Sequence, residues 1–212
     1  MPSRKVIFWE VDAQADFMLP GGKLYVPGAE KTIPNVKRLV DAARQGRVLL
    51  MSDACQHTPD DPEFKTFPPH CVRGTPGARI VPEALADTHF TVPNDPHFKL
   101  PESIFDNQQV VIEKQTLNVF DNPLTDHIVK RLDPDAEFFV FGVVTEYCVR
   151  LASKGLLERG RKVSVVNDAI ETLNAQHGRH TIDELKSLGA RLVTTDEALA
   201  ALDSAAATHS PR

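Results

Sequence analysis

A three-layer α/β/α fold with a mostly parallel central sheet is predicted by three features of this 212-residue sequence. Short, nearly unbroken apolar runs read as strands buried on both faces. Segments between them repeat apolar residues at helical spacing, and the two kinds of segment alternate along the chain. A helix that follows each strand must cross back over the sheet, which sets neighbouring strands parallel.

The first strand is Val6 to Val11, apolar except for Glu10, and a Pro20-Gly21-Gly22 loop follows it. Ile33, Val36, Leu39, Val40 and Ala43 define a helix over 32–45 that stops at Gly46. Val48 to Met51 is the second strand. The polar stretch 52–77, rich in Pro, Asp and His, has no periodicity and exceeds an ordinary connection, which marks it as functional or mobile. Val110 to Glu113, Phe138 to Phe141, Val163 to Val166 and Arg191 to Thr194 complete the strands. Helices are expected over 122–132, 148–159, 176–188 and 196–202. A single domain over 1–203 is expected, with 204–212 as a flexible tail.

Composition limits what such a fold can serve. With a net charge of -5 and no Lys/Arg cluster, the chain offers no face for a phosphate backbone, so nucleic acid is not an expected partner. The apolar run at 6–9 meets Glu10 and Asp12 too soon for a signal peptide, and no stretch has membrane-spanning length. A cytoplasmic location is expected, in which Cys55, Cys71 and Cys148 stay reduced.

In parallel sheets of this kind, chemistry collects beyond the carboxyl ends of the strands. Four strand ends here carry reactive residues: Asp12, Asp53, Lys114 and Cys148. Cys148 follows a strand and a Gly142 turn and opens a helix, where backbone N–H groups and the helix dipole favour a thiolate. Carboxylate, ammonium and thiol at one rim supply a proton shuttle, a cation and a nucleophile. The first strand lacks a following G-x-G-x-x-G, which excludes a Rossmann dehydrogenase.

Four segments in this order resemble the isochorismatase-like cysteine hydrolases and, among them, the nicotinamidase branch. They are Asp12-Ala-Gln14-Ala-Asp16-Phe17, then Phe67-Pro-Pro-His70-Cys71-Val-Arg-Gly74-Thr-Pro-Gly77, then Lys114, then Gly142-Val-Val-Thr-Glu-Tyr-Cys148-Val-Arg150. The resemblance covers about 6–194 and implies the isochorismatase-like fold. It implies Cys148 as nucleophile, Asp12 as proton shuttle and Lys114 as the accompanying lysine, with Asp16 bracing the loop. It also implies a cis peptide before Val144 and an oxyanion hole from the N–H groups of Val144 and Cys148. The implied reaction converts a primary amide, nicotinamide foremost, to the acid and ammonia through a thioester. Homo-oligomers are common among relatives, and one is expected here.

The same resemblance implies a divalent metal, zinc foremost with manganese or iron as alternatives, on Asp53, His57, Glu63 and His70. Spacing departs from the family pattern. Three residues rather than one separate Asp53 from His57, and Cys55 stands where a strict count back from His57 puts the aspartate. Either the loop carries an insertion or the first ligand is changed. Phe17, Phe67, Tyr147 and Phe120 are the implied substrate contacts, while the segment after Lys114 lacks the aromatic residue that precedes the matching Phe in relatives, Leu117 standing there. Two alternatives stay open: a metal-free isochorismatase-like or N-carbamoyl amide hydrolase, and a non-catalytic binding module of the same fold.

Overall fold

Seven strands, all parallel, form one central sheet in the computed structural model, which describes residues 5–207. In chain order they are β1 (Val6–Val11), β2 (Leu49–Cys55), β3 (His89–Val92), β4 (Gln109–Lys114), β5 (Glu137–Gly142), β6 (Lys162–Ile170) and β7 (Arg191–Val193). Across the sheet the order is β3-β4-β2-β1-β5-β6-β7, so β1 is central and its neighbours come from distant parts of the sequence. The helices are α1 (Ala15–Met18), α2 (Ile33–Arg44), α3 (Thr125–Arg131), α4 (Arg150–Glu158), α5 (Ala175–Ser187) and α6 (Thr195–Ala207).

Two apolar cores lie on the two faces of the sheet. Phe8, Leu50, Phe139 and Phe141 point to the face covered by α2 and α6, where Val36, Leu39, Val40, Ala198 and Leu202 meet them. Ile7, Trp9, Leu49, Met51, Ile112, Phe138 and Val140 point to the other face, against Ile128 and Val129 of α3, Leu156 of α4 and Leu185 of α5. Strict alternation along β1 thus serves two layers at once. Every residue of β1, β2 and β4 is buried, as strands covered on both faces require.

Three strands differ from expectation, β6 among them in running four residues past Val166 to Ile170. β2 runs on through Ser52, Asp53, Ala54 and Cys55, since its polar side chains find partners inside the sheet: Ser52 accepts from Gln109 Nε2 at 2.7 Å and Asp53 from Trp9 Nε1 at 2.8 Å. β3 is a short, largely exposed edge strand with no apolar run to announce it. At the other end, α6 continues through Ser204 to Ala207, within the stretch expected to be a tail, and 208–212 lie outside the described residues. Among the described residues no helix is long and apolar enough to cross a membrane.

The long polar stretch after β2 is held by backbone pairing. His57 N–H donates to Cys71 O at 3.1 Å and Arg73 N–H to His57 O at 2.9 Å, which folds the loop back on itself around 57–73. Asp16 clamps the same loop, accepting from Lys23 N at 3.0 Å and Cys71 N at 2.7 Å. Gly77 lies against that carboxylate so closely that a Cβ there would fall 2.2 Å from it.

Candidate active site

Sheet register brings the reactive residues together. Val11 is paired with Asp53 on one side and Gly142 on the other, and Cys55 is paired directly with Lys114. The carboxyl ends of β1, β2, β4 and β5 are therefore four adjacent strand ends, and each delivers one group to the rim.

Asp12 turns off β1 in a left-handed conformation, φ 49°, fixed from two sides. Its own N–H donates to Asp53 O at 3.1 Å, and the next N–H, of Ala13, donates to Glu10 Oε1 at 2.6 Å. Gln14 ties the turn to β2, accepting from Cys55 N at 2.7 Å and donating to Cys55 O at 2.8 Å. Short polar side chains tolerate this left-handed region better than most residues.

Lys114 is buried to 1% exposure, and its ammonium is surrounded: Asp12 Oδ2 at 2.7 Å, Cys55 Sγ at 3.0 Å, Cys148 Sγ at 3.6 Å and Asp53 Oδ1 at 3.7 Å. Contact with several anionic or anion-forming groups outweighs burial and holds its pKa above the ordinary lysine range. Asp12 Oδ1 is buried with no hydrogen-bond partner among the described residues, so one carboxylate oxygen grips the lysine and the other remains free to take a proton.

Cys148 stands in a single π-helical turn, Thr145–Val149, from which α4 continues. Such turns displace one residue from α-helical register and occur often at functional positions. The Val143–Val144 peptide is cis, in agreement with the resemblance. Val143 N–H donates to Val11 O at 2.9 Å and Thr145 N–H to Glu171 O at 2.8 Å, while the N–H of Val144 between them has no acceptor among the described residues. Glu146 anchors the turn from outside through Thr172 Oγ1 at 2.5 Å and Asn174 N at 2.8 Å.

The sequence position of Cys148 favours a thiolate, but burial pushes the thiol pKa well up, with Lys114 only partly offsetting it and Asp12 adding to the rise. The lysine charge is shared with carboxylates as well as with the sulfur.

Beside this trio lies a second cluster. Cys55, His57 and His70 are buried, and each brings a ligand-type atom within 4.8 Å of the others. The His57 and His70 ring centroids are 4.7 Å apart. Asp53, expected as the first ligand, is not in this cluster. It lies two residues, roughly 6–7 Å, back along β2, where Trp9 holds one carboxylate oxygen and the other faces Lys114. Burial and the nearby Asp12 charge raise its pKa to about 7. Cys55 stands in its place, as the strict count from His57 allows. Glu63 remains adjacent, its Oε1 3.7 Å from His70 Nε2.

The cluster has the donor chemistry of a metal centre. His57 is fully buried; Asp61 Oδ2 lies 3.1 Å from its Nδ1, and its Nε2 has no hydrogen-bond partner among the described residues. An orphaned nitrogen in a buried ring is costly unless something else meets it. His70 Nδ1 lies 2.8 Å from Pro68 O, which leaves Nε2 for a ligand, and burial lowers its pKa toward the neutral imidazole a metal requires.

Phe17, Phe67 and Tyr147 form an aromatic group at the same end. Phe17 lies edge-on to His70 at 5.2 Å, and Phe67 lies edge-on to Tyr147 at 5.9 Å and to His70 at 6.4 Å. Phe64, which sequence reasoning did not single out, completes the cluster at 5.3 Å from His57 and 5.7 Å from His70. Phe120 does not join them. It stacks on Trp9 at 6.3 Å, lies under the Arg159 guanidinium at 3.7 Å and packs against Gly155 of α4, so cation–π contact and helix packing claim both of its faces. His89, His97, His127, His177 and His180 are exposed, as expected from their lack of partners in the sequence, and His209 lies outside the described residues.

Comparison with known proteins agrees with this geometry. The isochorismatase domain matches over residues 7–98 and 87–197. A nicotinamidase of Escherichia coli K12 is 31% identical over 92% of this chain and 96% of its own length. A nicotinamidase/pyrazinamidase of Mycobacterium tuberculosis is 26% identical over 86% of this chain and 95% of its own. The crystal structure of a Pyrococcus horikoshii pyrazinamidase in complex with zinc superposes with a TM-score of 0.72 and 26% identity, covering 90% of this chain and 99% of that one. Fold, family match and full-length relatives agree: this chain belongs to the isochorismatase family of hydrolases, in its nicotinamidase branch.

Proposed function

We propose that the protein hydrolyses a primary amide, nicotinamide foremost, to the carboxylic acid and ammonia, with Cys148 as nucleophile. The observation that carries this reading is the convergence of Asp12, Lys114 and Cys148 on one buried ammonium, in a chain 31% identical to a nicotinamidase. A thiol whose pKa is raised needs its proton removed as it attacks, and the free Asp12 Oδ1 is the group available.

The cycle balances on these residues. Cys148 Sγ bonds to the carbonyl carbon as its proton passes to Asp12, and negative charge develops on the carbonyl oxygen. The N–H groups of Val144 and Cys148 are the donors proposed to receive that charge. Asp12 then returns the proton to the amide nitrogen, the C–N bond breaks and ammonia leaves a thioester. Water attacks the thioester carbon while Asp12 takes one of its protons, the C–S bond breaks, and Asp12 reprotonates the sulfur. Lys114 keeps Asp12 oriented throughout.

Cys55, His57 and His70 are the residues that would hold a divalent ion, with zinc the leading candidate, as the similarity to a pyrazinamidase crystallised with zinc supports. When bound, such an ion fixes a heteroatom of the substrate ring and so orients the amide. Phe17, Phe67 and Tyr147 are proposed to contact a flat ring. The test is ammonia release from nicotinamide by the purified protein, and by Cys148→Ala. Turnover by the first and loss of at least about a thousandfold in the second are expected; absence of activity on nicotinamide and on other primary amides refutes the reading.

A further inference from the structure

The coordination cluster contains a sulfur, and that sulfur touches the lysine of the neighbouring trio. Cα pairing in the sheet sets Cys55 directly beside Lys114, and Sγ lies 3.0 Å from Nζ. Both groups are almost fully buried, Cys55 at 2% and Lys114 at 1% exposure. A neutral thiol is a weak acceptor and gives the ammonium little. A thiolate placed between an ammonium and a divalent ion is attracted by both.

The other two members of the cluster are prepared to complete such a centre. His57 Nε2 has no hydrogen-bond partner among the described residues while its Nδ1 faces Asp61, and the Nδ1 of His70 is occupied by Pro68 O. The result is one sulfur and two imidazoles, a set suited to zinc rather than to manganese or magnesium, which prefer oxygen.

We infer that Cys55 binds the ion as a thiolate held between the metal and the Lys114 ammonium, which makes the centre selective for zinc and gives Lys114 two anions to serve, Asp12 and Cys55. The thiol proton passes to solvent when the ion is taken up. This rests on the metal centre proposed above and not on the identity of the amide.

The test titrates the chelator-treated full-length protein with Co2+ alone, in the absence of any amide. An intense near-ultraviolet sulfur-to-cobalt charge-transfer band is expected. Cys148→Ala should retain it, and both Cys55→Asp and Cys55→Ser should lose it. Zinc-over-manganese preference, measured by competition, should fall at least roughly tenfold in Cys55→Asp, because a carboxylate restores an oxygen ligand. Zinc affinity should fall roughly 10- to 100-fold in Lys114→Met, the usual consequence of removing a group that supports a ligand. Circular dichroism checks that each variant is folded, the wild-type spectrum shows whether a thiolate binds at all, and retention of the band in Cys148→Ala removes the other cysteine beside Lys114 from the assignment. Cobalt bound without the band, a band that survives Cys55→Ser, or failure to bind cobalt overturns the inference. Because Cys148→Ala keeps the band while losing turnover, failure of the thiolate assignment and failure of the amidase reading are distinguishable.

Discussion

Asp12 does its proposed work with one oxygen bound and one free. Replacing it by Asn keeps the shape and the grip on Lys114 but removes the proton acceptor, so turnover should fall by about 10²- to 10⁴-fold in an ammonia-release assay. A drop of less than fivefold would assign the proton to another group. Glu10, two residues earlier, is a second carboxyl at the centre of the sheet. It is fully buried, and burial raises its pKa from 4.5 to about 8. Its Oε2 has no hydrogen-bond partner among the described residues. A raised folded-state pKa means that the fold favours the protonated form. The contribution is fully present below pH 4.5, and is lost as pH climbs through about 8. At about 1.4 kcal/mol per unit, the upper limit of that loss is on the order of 4–5 kcal/mol. Glu10→Gln keeps an acceptor for the Ala13 N–H and cannot ionise. Its melting temperature relative to wild type should therefore rise steadily between pH 5 and pH 9. An offset that is the same at both ends of that range would contradict this account.

At the level of elements, the turn from β5 into the π-helical turn is the most constrained. Gly142 has φ 116°, and a Cβ there would meet Val11 O at 2.1 Å, because β1 and β5 are still paired at this residue. Neither the backbone angle nor the neighbouring strand can accept a side chain. Gly142→Ala should destabilise the protein by about 3 kcal/mol in urea unfolding; a change under about 1 kcal/mol would show that the two strands can separate locally. Gly142 and the apolar run before it were legible from sequence, since burial on both faces leaves an unmistakable pattern. β3 was not, because an edge strand of mixed exposure carries no such pattern. The polar end of β2 was hidden for a related reason: Ser52 and Asp53 read as a loop until Gln109 and Trp9 are seen to satisfy them. That extension of β2 also bears on the two candidates for first ligand, since two further residues of strand leave Asp53 beside Lys114 and bring Cys55 to the rim. Phe120 was matched by its position after Lys114, and no local signal announced that Trp9 and Arg159 would hold it elsewhere.

For the molecule as a whole, the cluster of Cys55, His57 and His70 joins the end of β2 to the loop around 57–73. An ion bound only by the folded chain stabilises it by mass action, about 2.7 kcal/mol at a hundredfold excess over the dissociation constant. Zinc should raise the melting temperature of chelator-treated protein by several degrees, and a second addition of chelator should reverse the rise. A melting curve indifferent to zinc would remove the ion from the stability of this loop. The sheet order has its own consequence. Every atom proposed to make or break a bond hangs from strands at the middle of the molecule, while the aromatic walls at 64 and 67 belong to the connection that follows β2. Phe17 and Tyr147, by contrast, sit on the turns that carry Asp12 and Cys148, so exchanging that one connection would reshape a single wall of the pocket while the other stays with the bond-cleaving residues.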